Sequence, residues 1–532
     1  MATTATATVT DMAMVMIRQV TMHKPREAQG VQFFSTRRLA LVIAGGALFS
    51  SVAVAQSVVR ITPSIDTRMT YTDNVGADAS ANSDFIFEVS PAIRISRQAG
   101  RVTGSMNASL RNVMYMEESD RNSSFISFSG RGEVEAVEDL LFVEARGRIS
   151  RDNLSLFSGR SSSDALNTSS ADESRSFAIA PRMELRFGNT GTGTLRYQSQ
   201  WQNGTGSTSG QRVDTWSASG QDGSAFGLLG WFASYDQSDS HYDDGVRDVS
   251  RDNGRVGLSY TLTPQLVLRA SVGRESNDYS SGSRQSGSTH GVGFDWSPTA
   301  RTSLSVFTEE RLFGRGYDVS FRHQARRSAW RLSYVRDFTS ADDVFTGSAE
   351  DYYFDLFSTA LANAIPDPAQ RDAAVRQLLS QLGVAGSGAQ VGFLTNAQSL
   401  SRRLNASMSL TGVRNTLTFS VYRSDRSRLA PDLIASGLDQ FASFDHVRDV
   451  GASVSLNHQL SGLSTLSVAL SRNKATGEGT SSEQTRRTGL SVGLSRKLGP
   501  KSSGSLSYRH QRANGTTDFT ENSLTATLGV RF

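Results

Sequence analysis

Residues 523–532 read SLTATLGVRF, with Leu524, Ala526, Leu528, Val530 and Phe532 at every second place and Ser523, Thr525, Thr527, Gly529 and Arg531 between them. A period of two describes a strand with one apolar and one polar face. The same alternation recurs upstream in Phe177, Ile179, Pro181, Met183, Leu185 and Phe187, in Val256, Leu258, Tyr260 and Leu262, in Leu404, Ala406, Met408 and Leu410, and in Leu490, Val492 and Leu494. Roughly 22 such segments follow one another from Val59 onward, each about ten residues long, the length a tilted strand needs to cross a bilayer.

The connections between these segments sort into two kinds. Short turns are expected at 97–100, 137–139, 188–193, 263–265, 297–300, 324–327, 411–415, 461–462 and 499–501, alternating with longer polar stretches at 72–84, 152–173, 235–250, 276–287, 424–444 and 473–483. A meander whose two ends differ in this way meets two different environments. Outer-membrane barrels show that asymmetry, with short periplasmic turns and long extracellular loops. Both ends of the strand series then fall on the short-turn side, which requires an even strand number. A two-sheet sandwich would need its apolar faces to bury one another and gives no reason for alternating turn lengths. A solenoid needs a fixed-period repeat, and none is present. The fold expected is all-β, a transmembrane antiparallel up-and-down barrel of roughly 22 strands, with 20 to 24 as the range, whose apolar face meets lipid and whose closure satisfies every backbone donor and acceptor.

Composition agrees. The chain has 532 residues, 37% hydrophobic and 20% charged, with 47 Gly, 10 Pro and no Cys. Without cysteine there are no thiolate nucleophiles, disulfides, iron–sulfur clusters or Cys-bound zinc. The formal charge of +4 is nearly neutral for this length, and no basic cluster with interleaved aromatics appears, so nucleic acid is not an expected partner.

Arg37 and Arg38 precede the charge-free run LALVIAGGALFSSVAVA at 39–55, which ends in Ala53, Val54 and Ala55 before Gln56. A basic start, an apolar stretch and an A-x-A site describe a secretory signal peptide cut after Ala55, giving an N-terminal extension plus signal over 1–55 and a barrel over 56–532. The Thr/Ala/Met-rich leader is longer than such a signal needs and points to an internal start. One stretch breaks the strand pattern. Within an insertion at 341–397, Pro366, Asp367 and Pro368 open a segment that Leu378, Leu379 and Leu382 edge and Gly383 closes, the start and stop signals of a short helix in an extracellular loop. An insertion of this kind either stays outside or folds into the lumen as a constriction.

Of the 55 basic residues, 51 are Arg. With the apolar positions facing lipid, Arg94, Arg111, Arg131, Arg146, Arg148, Arg182, Arg186, Arg196, Arg269, Arg322, Arg331, Arg509 and Arg531 point inward, together with Glu133, Glu135, Glu144, Glu184, Asp295 and Glu309. Guanidinium groups grip carboxylates and phosphates in a fork, so an arginine-lined lumen favours acidic solutes such as uronate-containing polysaccharide. The competing reading is that inward charges of both signs pair across neighbouring strands.

Catalytic signals are poor, and no enzyme activity or cofactor is expected. Residues 489–493, GLSVG, match G-x-S-x-G but lie within a strand rather than at a strand-to-helix elbow. The seven histidines, His23, His241, His290, His323, His446, His458 and His510, form no zinc-binding spacing, and Asp236, Asp239, Asp243 and Asp244 miss the calcium-loop pattern.

The stretches RITPSIDTRMTYTDNV at 60–75 and FIFEVSPAIRI at 85–95, with Ala180-Pro181 and LRFG at 185–188, resemble a family of outer-membrane proteins associated with the PEP-CTERM protein-sorting and exopolysaccharide system of Gram-negative bacteria. The likeness resumes in DPAQRDAAVRQLL at 367–379, FLTNAQSLSRRL at 393–404 and GVRNTLTFSVYRS at 412–424. Leu528, Val530 and Phe532 resemble the terminal signal read by barrel-assembly machinery. The resemblance implies a barrel encoded with surface-polysaccharide machinery, with outer-membrane lipid, the assembly machinery and acidic polysaccharide as partners. It carries over no catalytic residue. Two alternatives stay open: an adhesive barrel whose long loops bind extracellular matrix, and a hydrolase with a Ser/His pair at the rim. A nutrient receptor with an N-terminal plug domain is not expected, because the first strand follows Gln56 almost directly.

Overall fold

The computed structural model describes residues 59–153, 155–158, 171–204, 210–243, 248–278, 283–339, 398–429 and 440–532. The signal-cleavage residues Ala53, Ala55 and Gln56 and the insertion at 341–397 lie outside the described residues.

Twenty-two strands follow in order: β1 (Val59–Thr72), β2 (Asp84–Ala99), β3 (Val102–Tyr115), β4 (Ser123–Val137), β5 (Leu141–Asn153), β6 (Ala171–Phe187), β7 (Gly191–Gly204), β8 (Gln211–Phe226), β9 (Leu229–Tyr242), β10 (Val249–Thr263) and β11 (Leu266–Asn277). They continue with β12 (Gln285–Thr299), β13 (Thr302–Arg311), β14 (Gly314–Gln324), β15 (Ser328–Thr339), β16 (Ser399–Thr411), β17 (Asn415–Arg428), β18 (Phe444–Gln459), β19 (Ser464–Gly479), β20 (Ser482–Lys497), β21 (Ser502–Gly515) and β22 (Phe519–Arg531). Each pairs antiparallel with its neighbours in sequence, and β1 pairs with β22 from Ser64↔Arg531 to Thr72↔Ser523, which closes the ring. The Phe532 amide extends this seam by donating to the Pro63 carbonyl at 3.0 Å. At the usual ~4.8 Å strand spacing and ~40° tilt, a ring of this size is roughly 40 Å across between backbones.

The alternation inverts the usual distribution of side chains. Val272 is 62% exposed, and Ile61, Met69, Leu110, Ile126, Val256 and Leu528 share its outward phase, whereas Glu275 and Glu521 are 1% exposed. Aromatic pairs mark the outward face near the long-loop end: Tyr71 with Phe85 at 4.8 Å, Tyr197 with Trp216 at 4.7 Å and Phe177 with Trp201 at 5.8 Å between ring centroids. Phe187, Trp296, Trp330 and Phe532 are exposed near the other end. Two aromatic girdles around an apolar band are what lipid contact requires. A closed 22-stranded sheet built this way is an outer-membrane barrel of Gram-negative bacteria.

The short turns close tightly. The two-residue β2/β3 connection uses Gly100 at φ +74°, a left-handed conformation that two-residue hairpin turns demand. The expected strict alternation of turn lengths, however, does not hold. Leu312–Phe313 and Thr480–Ser481 are two-residue connections on the long-loop side, and much of 235–250 and 473–483 is strand. Strands run from 10 to 17 residues. Above the bilayer both faces of a hairpin are wet, so the hydrogen-bonded ladder continues after the hydropathy alternation has stopped.

Candidate functional site

Within the hydrocarbon band the inward phase of the strands carries the charged residues, because a charge on the lipid face costs about 2–4 kcal/mol at mid-bilayer while the lumen is hydrated. On β4 to β7 they form a dense lattice. Register sets Arg131 opposite Arg146 and Glu133 opposite Glu144, two like-charged pairs that would repel if they met directly. The side chains engage diagonally instead. Glu144, 3% exposed, receives Arg131 at 3.0 Å, Arg146 at 2.6 Å and Arg196 at 3.2 Å. Arg182 lies 3.3 Å from Glu133 and 3.1 Å from Glu184, with its guanidinium over the inward ring of Phe142.

A second group sits closer to the long-loop end, where Glu88 on β2 is held by Arg68 at 3.0 Å and Arg111 at 2.9 Å and accepts the Ser90 hydroxyl at 2.7 Å. On the opposite wall, Arg311 bridges Glu275 at 2.9 Å and Asp337 at 2.6 Å, and Arg269 reaches Asp295 at 2.9 Å. The remaining sequence-derived positions are dispersed. Arg148 donates to Ser150 at 3.1 Å, Arg322 and Arg331 stand opposite each other on β14 and β15, and Arg94, Arg186, Arg509 and Arg531 lie on β2, β6, β21 and β22. Glu88, Arg68, Glu275 and Arg311 were not singled out from sequence, although each lies in phase with inward residues that were.

Glu144 is surrounded by three guanidiniums and Glu88 by two, so each locus carries a surplus of positive charge. Arg131 at 66% and Arg146 at 39% side-chain exposure keep part of their donor surface free for the lumen. Paired acids fix the guanidiniums without neutralising them all.

The long-loop end of the lumen is narrowed by segments that fold onto the inner wall. Val75 and Ala77, both 0% exposed, belong to the β1/β2 connection. Val75 packs with Ile86, Val113 and Tyr115, and Ala77 with Ala513 and Phe519, while Asn74 donates to the Thr520 carbonyl at 3.1 Å. Leu156 and Phe157, after β5, pack against Phe441, Phe444, Val447 and Ala475 on the far wall. There Arg487 donates to the Leu156 and Ser158 carbonyls at 2.8 and 2.7 Å. Gln398 donates to the Tyr242 hydroxyl at 3.1 Å, joining the tops of β9 and β16. Val75, Ala77, Leu156 and Phe157 fall in stretches that the sequence presents as long polar connections; the signal available was the close spacing of Leu154, Leu156 and Phe157 in one of them.

Asp236 and Asp239 fall within β9, on opposite faces of the strand, and Asp243 follows it; Asp244 lies outside the described residues. Ser491 of the G-x-S-x-G match is a mid-strand residue of β20, paired with Ala469 and Arg509.

No protein-family model and no curated protein sequence matches the chain. Among solved structures, the chain is similar to the siderophore receptor PirA from Pseudomonas aeruginosa (9% identity, 89% of this chain and 80% of that one, TM-score 0.43). It is likewise similar to the FrpB iron transporter from Neisseria meningitidis (10% identity, 88% and 81%, TM-score 0.45) and to OccK1 from P. aeruginosa (8% identity, 89% and 99%, TM-score 0.34). At these TM-scores the likenesses carry no functional information.

Proposed function

We propose that the protein is a channel through the outer membrane for acidic solutes, with uronate-containing polysaccharide as the substrate class. The observation that supports this reading best is Glu144 with its three arginines, a preorganised cationic locus facing a hydrated lumen. Guanidinium forks already oriented by a buried carboxylate bind a passing carboxylate at little further entropic cost. The resemblance to barrels linked with exopolysaccharide machinery favours a polymer over a small anion. The inward-folded segments at 73–83 and 155–158 narrow the outer mouth and make the route a gated one.

The test is electrical. Purified protein in a planar bilayer under a tenfold KCl gradient is expected to give a reversal potential of the sign set by chloride permeation, and added polyuronate is expected to block the current from one side. A silent barrel, or a cation-selective one that polyuronate leaves untouched, overturns the proposal.

A further inference from the structure

On the outward face of β16, β17 and β18 the apolar phase runs through Leu404 to Leu410, Leu417 to Val421, and Val450 to Leu456. The next outward position toward the long-loop end is an arginine on all three strands: Arg402, Arg423 and Arg448. These side chains leave the barrel wall at the outer edge of the hydrocarbon band, on the side away from the lumen. Asp425, 7% exposed, ties two of them together, lying 2.6 Å from Arg423 Nε and 2.5 Å from Arg448 Nε, with His446 at 3.8 Å. Arg448 meets the carboxylate through Nε and Arg423 through Nε and, at 3.4 Å, Nη2, while the two side chains remain 43% and 50% exposed. Arg402, exposed, stands opposite Asp425 in register. The three arginines, Asp425, Ser427, His446 and Leu400 line a cavity of about 120 Å³.

The cationic surface continues around the same sector. Arg472 and Lys474 on β19, Arg486 on β20 and Arg512 on β21 are exposed and share the outward phase of Leu470, Leu494 and Leu506. The opposite sector is balanced: Arg212 pairs with Asp214 at 2.9 Å, Arg284 with Asp252, and Arg315 with Glu310 at 3.4 Å. Among the described residues, the β16–β21 sector concentrates positive charge where the membrane surface lies, with Asp425 and Glu478 as its outward acids.

The geometry points to a lipid-phosphate site: Arg423 and Arg448, held by Asp425, and the neighbouring Arg402 bind the phosphate of a phosphorylated outer-leaflet glycolipid whose acyl chains lie on the apolar strand faces directly beneath. Position selects the lipid over a soluble phosphate, because the acyl chains cover Leu404, Val421 and Val450 while the phosphate meets the forks above them. Two guanidiniums held side by side by one carboxylate suit an oxyanion with several acceptor oxygens.

The test uses the full-length barrel in detergent and native mass spectrometry. The probes are a bis-phosphorylated, hexa-acylated glucosamine disaccharide lipid, its dephosphorylated counterpart, and inorganic phosphate. The wild-type protein is expected to retain the phosphorylated lipid about tenfold more than the dephosphorylated one, a factor equivalent to about 1.4 kcal/mol, and inorganic phosphate is expected not to displace it. The triple substitution Arg402→Gln, Arg423→Gln and Arg448→Gln is expected to remove that preference, while Arg212→Gln on the balanced sector leaves it intact. Heat-modifiable gel mobility confirms that each variant is a folded barrel. Equal retention of both lipids by the wild type, an undiminished preference in the folded triple variant, or displacement by inorganic phosphate would each overturn the assignment.

Discussion

Arg487 on β20 donates a 2.8 Å hydrogen bond to the carbonyl oxygen of Leu156, a residue 331 positions earlier that follows β5. Around the closed ring β5 and β20 are separated by β21, β22 and β1 to β4 and do not touch through the wall, so the bond crosses the mouth. Arg487 is 7% exposed, and its second bond, to the Ser158 carbonyl, makes it a two-pronged clamp on one short segment.

Replacing Arg487 with Met keeps the bulk and removes both bonds. Hydrogen bonds from a charged donor contribute about 1.5–3 kcal/mol each in favourable settings. The amides of Phe157 and Ser158 are therefore expected to exchange with solvent about tenfold faster or more, with exchange in the β18–β21 ladder unchanged. Single-channel recordings should show more frequent transitions to a higher conductance.

Glu144→Gln removes the one negative charge among Arg131, Arg146 and Arg196. The lumen becomes more cationic, so chloride selectivity rises in reversal-potential measurements while the barrel loses about 1–3 kcal/mol of stability. Arg131→Gln with Arg146→Gln moves the reversal potential the other way. A shift of the same sign in both variants would contradict the charge argument.

Gly451 on β18 lies beneath the ring of Tyr422, its partner on β17, and a Cβ there would overlap the ring. The Tyr422 hydroxyl in turn donates to Asp449 at 3.0 Å. Gly451→Val is expected to displace the ring, break that bond and cost about 1–3 kcal/mol, measured as a lower urea midpoint for loss of the folded band. Gly462, in a turn where no atom of the described residues lies within 4 Å of an added Cβ, is the control that tolerates Ala.

The Ser80 hydroxyl and backbone amide donate to the Asp78 carboxylate, and these hydrogen bonds hold its pKa below the ordinary value. The Asn74 side chain donates to the Asp78 carbonyl at 2.6 Å and accepts the Asp78 amide at 3.2 Å, which anchors the 73–83 segment. A carboxylate with a lowered folded-state pKa adds stability above its unfolded pKa and loses it as pH falls through the lowered one. Protection of the Val75 amide should therefore be constant from neutral pH down to about pH 4 and drop below it. Asp78→Asn is expected to abolish that acid dependence.

The strands were legible because lipid imposes a strict period on every outward residue from Ile61 to Phe532. That constraint ends at the headgroups, which is why 473–483 reads as a loop although β19 and β20 run to within two residues of each other. The inward arginines followed from phase alone, but their partners did not. Nothing in the sequence shows that Arg196 on β7 reaches past β6 to Glu144 on β5, because barrel curvature decides which inward side chains converge. The contact of Leu156 and Phe157 with the β18–β21 wall was hidden for the same reason, being a chord across the ring rather than a neighbour along it. Arg402, Arg423 and Arg448 were readable in principle, since each continues an outward apolar row by one step; treating charge as a sign of the lumen concealed them.

The β1/β22 seam joins residues more than 450 positions apart, as Thr70 and Thr525, whose hydroxyls meet at 3.0 Å, illustrate. Until β22 exists, the growing sheet has two bare edges, each a template for joining another molecule. Such a chain gains its most sequence-distant contacts last and is exposed to misassociation throughout its synthesis and transit. Its completion is one late event, and a chain lacking the final strand should yield aggregates rather than a smaller pore.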